Sequence, residues 1–219
     1  MIKAIIFDFD GVIIESADIK TGAFRELFSD YPEKAKEIIN YHLINAGISR
    51  YIKFRHIYEH ILQTDLSKDA EVELGKHFSQ IVFQKVVDAH FVAGTREFLD
   101  VYKNRYQFFI ASGTPEEELC KIINEKGLQG YFKEMQGSPK GKVDIVISII
   151  KNYNFAKEEV VYIGDAQSDR IAAKKAGIVF IERRANLNSR LENRPWIIKD
   201  LTSLHDILQE IESDKKHRR

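Results

Sequence analysis

The chain has 219 residues, and its 33 lysines and arginines balance 33 aspartates and glutamates, so the formal net charge is zero. A neutral chain has no overall charge that would attract nucleic acid or an anionic membrane, and we expect neither as a partner. The single cysteine, Cys120, excludes an intrachain disulfide. The early apolar stretches are too short for a membrane span or a signal peptide. We therefore expect a cytoplasmic protein that is a monomer or a weak homo-oligomer.

The first element is a buried β-strand. Residues 2–9 contain a near-continuous apolar run, which is typical of a strand in a parallel sheet covered on both faces. The run ends at Asp8 and Asp10, followed by the turn residue Gly11.

A helical block follows this strand. Between residues 16 and 92 apolar side chains recur at helical spacing, which predicts about four helices and no strand. Strand patterns resume only beyond the block, so the first strand must pair with strands on its far side. We therefore predict an α/β core made of residues 1–15 and 93–219, with residues 16–92 as an inserted all-helical domain.

Strands and helices alternate after the insertion. We predict strands at 107–111, near Met135, and at 160–163, 179–181 and 196–198, and helices at 95–103, 115–126, 142–153, 168–176 and 204–211. This alternation predicts the α/β class, with a doubly wound parallel sheet. We interpret the basic tail at 215–219 as a frayed, solvated terminus rather than a nucleic-acid site.

Acidic side chains follow two of the predicted strands. In open α/β sheets, ligands bind beyond the carboxyl ends of the strands, where Asp8, Asp10, Asp165 and Asp169 are found. Neighbouring carboxylates repel and raise a pKa, and a divalent cation such as Mg²⁺, which prefers oxygen ligands, removes that conflict. One Asp-x-Asp-Gly is also typical of an aspartate-capped turn. Its place after a buried strand, together with Gly164-Asp165, favours a magnesium site.

Two further segments are candidates for binding an anion. Residues 112–114, Ser-Gly-Thr, precede a helix predicted to start near Pro115, and free N–H groups there can bind an anion. The same pattern is also typical of a plain helix cap. Lys142 opens a later helix and could hold a phosphate as a point charge. It could also be simply an exposed lysine, and Lys140 is a competitor for the same role.

Together these segments resemble the four motifs of the haloacid dehalogenase-like superfamily, in the branch with a helical cap inserted after the first motif. The first motif corresponds to residues 8–16, the second to Ser112, the third to Lys142 and the fourth to residues 164–169. Their order and spacing along the chain agree with that superfamily, and the resemblance covers the whole chain.

The resemblance implies catalytic roles for the two N-terminal aspartates. Asp8 would be the nucleophile that forms an aspartyl phosphate, and it is expected to be ionised at neutral pH. Asp10 would protonate the leaving oxygen and then deprotonate the hydrolytic water. Mg²⁺ would be held by Asp8, the backbone carbonyl of Asp10 and Asp165, with Asp169 direct or through water.

The resemblance also implies a set of phosphate ligands. Ser112, the Gly113 N–H and Lys142 would bind the transferring phosphoryl oxygens. Lys142 is preferred to Lys140 because family members often place this lysine three residues after Gly-Ser-Pro, as here.

Asp10 favours phosphate esters over halides and phosphonates, because the family's dehalogenases and phosphonate hydrolases lack this aspartate. We predict a Mg²⁺-dependent phosphatase acting on a small phosphorylated metabolite, with a sugar-phosphate mutase of the β-phosphoglucomutase type as the alternative. A non-catalytic binding module is disfavoured by the intact motif set. Arg50, in a segment resembling one in the mutase cap, would bind a substrate phosphate or carboxylate, or would be an exposed arginine at a helix start. Lys20 and Lys53 are weaker candidates.

Overall fold

The apolar run at the N-terminus forms a central strand of a six-stranded parallel sheet in the computed structural model, which describes residues 1–185 and 196–217. The strands are β1 (Ala4–Phe7), β2 (Gln107–Pro115), β3 (Phe132–Ser138), β4 (Val160–Gly164), β5 (Val179–Arg183) and β6 (Ile197–Ile198). Their order across the sheet is β3-β2-β1-β4-β5-β6. Ala4 of β1 lies opposite Gln107 on one side and Val160 on the other, so the first strand does pair with strands beyond the helical block.

Helices cover both faces of the sheet. Those of the core are α5 (Thr95–Tyr102), α6 (Glu116–Glu125), α7 (Lys142–Asn152), α8 (Gln167–Ala176) and α9 (Leu204–His217), with 3₁₀ turns at Lys157–Glu159 and Leu201–Ser203. Side chains alternate along β1, so Ile5 and Phe7 pack in one apolar cluster with α5, α6 and α9, while Ala4 and Ile6 pack in another with α7 and α8. This two-sided burial explains why the first strand is continuously apolar.

The regular elements of the insertion between β1 and α5 are all helices, and an isolated β-bridge between Ile14 and Phe91 joins its two ends. Its helices are α1 (Ala17–Leu27), α2 (Ala35–Ile44), α3 (Arg50–His56) and α4 (Lys68–Asp88), and a π-helical turn at Ile57–Leu62 extends α3. Phe24, Phe54 and Phe78 join three of these helices, with ring centroids 5.1–6.2 Å apart. The predicted fold class, a doubly wound parallel sheet with an inserted helical domain, is confirmed. The boundaries at residues 16 and 92 remain a prediction.

Two elements, β2 and α9, extend well beyond their predicted ends, whereas β4 and β5 exceed theirs by one and two residues. Strand β2 runs to Pro115, which pairs with Ser138, so residues 112–114 belong to the strand and α6 begins directly after it at Glu116. Helix α9 continues to His217, six residues beyond its predicted end at residue 211. The prediction stopped early because the last turns are polar and show no apolar periodicity. The interpretation of the tail at 215–219 concerns side chains outside the described residues. No helix in the described parts of the chain has both the length and the apolarity needed to cross a membrane.

Candidate active site

Three carboxylates converge at the carboxyl ends of β1 and β4. One oxygen from each of Asp8, Asp165 and Asp169 lies within 4.8 Å of the others. Asp8 and Asp169 are buried, whereas Asp165 is open to solvent. The structure therefore brings together three of the four aspartates that the sequence placed at strand ends.

The negative charge of the three carboxylates is only partly offset by the nearby Lys142. Burial, and then the nearby Asp169, raise the pKa of Asp8 well above its usual range, while Lys142 opposes this shift. The Asp165 carboxylate faces the cluster, and its partial desolvation raises its pKa. Together with the charge of Asp169, this brings the pKa of Asp165 to about 7. The expectation that Asp8 is ionised at neutral pH therefore requires a further positive charge beside it.

Lys142 is the first residue of α7 and is buried in the cluster. Its Nζ atom lies 2.9 Å from Asp8 Oδ2 and 2.6 Å from Asp169 Oδ1. Burial would lower the pKa of this ammonium, but Asp169 and Asp8 raise it overall. Lys140 is exposed and donates to Gln136 at 2.8 Å. The structure thus brings Lys142, and not Lys140, to Asp8.

Asp169 is held in place by groups that the sequence reasoning missed. The Tyr162 hydroxyl donates to Asp169 Oδ1 at 2.6 Å, and the Ala166 N–H donates to Oδ2 at 3.0 Å. A Cβ at Gly164 would lie 2.3 Å from that of Asp169, so the glycine makes room for this approach. The alternation along β4, which puts Tyr162 on the same face as Gly164, is the one sequence signal that could have identified the tyrosine.

Asp10 lies beside this cluster, in a separate hydrogen-bond network. Ser16 Oγ donates to its Oδ1 at 2.7 Å, Thr114 Oγ1 donates to its Oδ2 at 2.9 Å, and Lys20 forms an ion pair with Oδ2. Burial alone would raise the pKa of Asp10, but Lys20 and these hydrogen bonds lower it overall. The ionised form is therefore favoured. That form suits a base, whereas donating a proton would require the network to loosen.

Lys20 has a larger part in this geometry than its sequence context indicated. It stands one helical turn after Ser16 in α1, so the two side chains face the same aspartate. Its Nζ atom also donates to Thr114 Oγ1 at 2.6 Å, which links the insertion to the end of β2.

The Ser-Gly-Thr segment presents different atoms from those expected. Ser112 is fully buried, and its Oγ atom accepts the Thr114 N–H at 3.1 Å. Gly113 and Thr114 line the cleft between the core and the insertion. Gly47 of the insertion packs directly against Gly113, where a Cβ would lie 2.5 Å from the Gly47 carbonyl oxygen.

The cleft is a cavity of about 110 Å³ with one wall from the core and one from the insertion. We call these the core wall and the insertion wall. The core wall consists of Asp8, Asp10, Gly113, Thr114 and Asp165. The insertion wall consists of Ala17, Lys20, Thr21, Phe24, His42, Leu43, Ala46, Gly47, Ile48, Arg50, Lys53 and Phe78.

Arg50 begins α3, but the expectation that it is exposed there is wrong, since only 5% of its surface is accessible. Its guanidinium donates to both carboxylate oxygens of Glu118, at 2.9 and 2.5 Å, and to Ser79 at 2.8 Å. Glu118 belongs to α6 of the core, so this buried ion pair joins the insertion to the core. Periodicity gave no signal for a partner so distant in sequence.

Comparison with known proteins now identifies the family. Residues 5–182 match the haloacid dehalogenase-like hydrolases. The chain belongs to this family. A phosphorylated carbohydrates phosphatase from Thermotoga maritima is 25% identical, with the match covering 80% of this chain and 82% of the relative. Phosphoglycolate phosphatase 1 from Pseudomonas aeruginosa is 23% identical, with 80% and 67% covered.

Solved structures show the same fold. A β-phosphoglucomutase from Clostridium difficile has a TM-score of 0.78 at 20% identity, with 98% of this chain and 99% of that chain covered. A haloacid dehalogenase-like hydrolase from Streptococcus pneumoniae has a TM-score of 0.70 at 18% identity, with 95% and 99% covered. The resemblance seen in the motifs is confirmed, and so is the expectation of a hydrolase-family enzyme.

Proposed function

We propose that the protein is a Mg²⁺-dependent phosphatase that hydrolyses a small phosphorylated metabolite through an aspartyl-phosphate intermediate. The observation that carries the proposal is the cluster of Asp8, Asp165 and Asp169 around Lys142, at the strand ends beside the cleft. The relatives named as phosphatases support it.

The donor set fits Mg²⁺. Three carboxylates supply hard oxygen ligands. Burial, and then the charge of Asp169, raise the pKa values of Asp8 and Asp165, and a bound cation would favour their ionised forms. Asp8, Asp165 and the backbone carbonyl of Asp10 would hold the ion, with Asp169 direct or through water. When bound, the ion would neutralise charge on Asp8 and on the phosphoryl oxygens.

The chain's own residues supply the chemistry. In the first step an Asp8 oxygen attacks phosphorus as the bond to the leaving oxygen breaks. Asp10 gives that oxygen a proton, which requires Asp10 to be protonated after its contacts with Lys20 and Thr114 have loosened. In the second step Asp10 takes a proton from the water that attacks phosphorus, which releases phosphate and restores Asp8. The Gly113 N–H and Lys142 would bind the phosphoryl oxygens throughout. Ser112 would join them only by turning its hydroxyl hydrogen towards the cleft, since its Oγ atom is buried and accepts the Thr114 N–H.

Arg50 could bind a substrate anion, as predicted, only if its ion pair with Glu118 were broken. Because both oxygens of Glu118 accept from its guanidinium, a substrate anion would have to displace that carboxylate before binding there directly. We propose that the main contribution of Arg50 is to hold the insertion against the core.

A substrate screen tests the function. Purified protein with Mg²⁺ is expected to release inorganic phosphate from small phosphomonoesters, and to lose this activity when a chelator removes the metal. Interconversion of hexose phosphates without release of phosphate would favour the mutase alternative, a function named for one structure of similar fold. Absence of both reactions would favour a binding module.

A further inference from the structure

Three cationic side chains line the insertion wall, and they differ in their partners. Lys20 is paired with Asp10, and Arg50 is paired with Glu118. Lys53 lines the same wall but forms no ion pair with a carboxylate among the residues that the structure describes. A buried cation without a carboxylate is costly to a fold and is therefore a candidate for a functional role.

Lys53 is held against His42 beneath the cleft. It lies on α3, with 4% of its surface accessible. Its Nζ atom is 3.2 Å from His42 Nδ1 and 3.3 Å from the His42 carbonyl oxygen. The Phe24 ring lies 5.4 Å from the same nitrogen. All of these partners are neutral acceptors or an aromatic face once His42 is unprotonated.

His42 is the residue that positions this ammonium. Burial, and then Lys53, lower the pKa of His42 to about 3, so the ring is neutral at physiological pH. Since an ammonium can only donate, Nδ1 accepts from Lys53 and Nε2 carries the proton. Nε2 then donates to Thr21 Oγ1 at 3.3 Å, and that hydroxyl donates to the Ala17 carbonyl at 3.1 Å.

Hydrogen bonds among the described residues leave one of the three Lys53 donors without a partner. An ammonium carries three N–H groups, and His42 accepts two of them. Burial, and then Lys20 and Lys142, lower the pKa of Lys53 to about 7, so the charged form is disfavoured in the free protein. An anion bound in the cleft would offset this penalty.

We propose that Lys53 binds a carboxylate of the substrate, so that the substrate class is phosphomonoesters of small hydroxy acids. The inference rests on the proposed phosphatase function, since Asp8 on the core wall would take the phosphoryl end. The cavity of about 110 Å³ is well below the roughly 300–1,000 Å³ of pockets for drug-sized ligands, which favours a compact leaving group. A neutral leaving group would leave Lys53 uncompensated.

A matched pair of substrates tests this inference. We compare phosphoglycolate with ethyl phosphate, which has a similar size but no carboxylate, and include a hexose 6-phosphate. The variants are Lys53→Met, which removes the charge, and Lys53→Arg, which keeps it. Lys76→Met is the control, because Lys76 is an exposed cation of the insertion.

The expected result is selective. The wild-type enzyme should have a higher kcat/KM for phosphoglycolate than for the other two substrates. Lys53→Met should lower kcat/KM for phosphoglycolate about 10- to 100-fold, mostly by raising KM, and should change kcat/KM for ethyl phosphate little. Lys53→Arg should recover part of the loss, and Lys76→Met should behave as wild type. Thermal melting checks that each variant is folded, and Lys53→Gln replaces Lys53→Met if that variant fails to fold.

Other outcomes overturn the inference in distinguishable ways. Equal losses on both substrates would make Lys53 merely structural. A wild-type preference for hexose 6-phosphate or ethyl phosphate would exclude the hydroxy-acid class while leaving the phosphatase function intact. Absence of turnover on all three substrates, and on the wider panel with Mg²⁺, would overturn the phosphatase function and this inference together.

Discussion

The two walls of the cleft carry opposite charge imbalances. The core wall presents Asp8, Asp10 and Asp165, backed by the buried Asp169, with Lys142 as the cation inside the cluster. The insertion wall presents Lys20, Arg50 and Lys53. The core wall is therefore suited to a metal and a phosphoryl group, and the insertion wall to the anionic remainder of a substrate.

The walls also differ in how their charges are satisfied. The core carboxylates repel one another, and burial holds the pKa of Asp8 high. On the insertion wall, Arg50 is neutralised by a carboxylate from the core, while Lys53 depends on the neutral His42. Our proposals place catalysis and substrate recognition on different parts of the chain, so variants should affect one without the other.

The largest expected effect is on the core wall. Asp8→Asn removes the nucleophile but keeps the side-chain shape, and we expect turnover of every phosphomonoester to fall on the order of 10⁴-fold. Phosphate release measured under Mg²⁺ saturation checks this. Asp18→Asn, an exposed aspartate of α1, is the matched control and should stay near wild type. Equal activity in the Asp8 variant and wild type would remove Asp8 from the mechanism.

The next effect concerns the contact between the walls. Arg50→Ala leaves Glu118 buried without its charged partner, with only the Ser79 hydroxyl still donating to it, and we expect a loss of about 3 kcal/mol in the free energy of unfolding. Urea denaturation measures this. The double variant Arg50→Ala/Glu118→Ala should lose less than the sum of the two single variants, because it removes the unpaired charge as well. Strict additivity would mean that the pair does not hold the insertion to the core.

A third effect concerns Lys53 and has a defined pH dependence. The pKa of Lys53 is about 7 in the folded protein, against about 10.5 when unfolded. Below pH 7 Lys53 is protonated in both the folded and the unfolded protein, so the full cost of burying its charge lowers the stability. Between pH 7 and 10.5 Lys53 is protonated mainly in the unfolded protein, so the free energy of unfolding rises with pH. Lys53→Met should therefore be more stable than wild type at pH 6, by about 4–5 kcal/mol if the whole penalty comes from the buried charge.

Urea denaturation of both proteins at pH 6 and pH 9 measures this difference. We expect the advantage of Lys53→Met to shrink as the pH rises. An advantage independent of pH would show that the lysine is not buried as a charge. Combined with the kinetic test, a variant that gains stability while losing carboxylate preference would indicate a residue retained for function.

The smallest expected effect comes from the hydroxyl of Tyr162, which holds Asp169 behind the core wall. Tyr162→Phe removes the hydroxyl that donates to Asp169, at a cost of about 1 kcal/mol in unfolding free energy. Because Asp169 also binds Lys142, we expect a modest fall in kcat with little change in KM. Steady-state kinetics on one good substrate gives both parameters. A change confined to KM would place Tyr162 in substrate binding.

Local patterns predicted the core well, because its signals lie close together in the chain. A continuous apolar run identified β1, and acidic residues directly after strands identified Asp8, Asp10 and Asp165. Parallel strands bring their carboxyl ends to one edge, so residues far apart in sequence could be expected near one another. The fold class, the family and the convergence of the carboxylates followed from these signals.

Tertiary structure decided what each charge is paired with. The chain alone showed Arg50 and Lys53 one turn apart on α3, but not that Glu118 of α6 neutralises the first and His42 holds the second. Likewise, the place of Tyr162 beside Asp169 depends on how β4 meets α8. Such partners follow no period along the sequence, since they are set by the packing of the insertion on the core. The sequence by itself therefore determined which strand ends carry the acidic residues, and only the folded arrangement decided that Lys53 is the cleft cation with no carboxylate partner among the described residues.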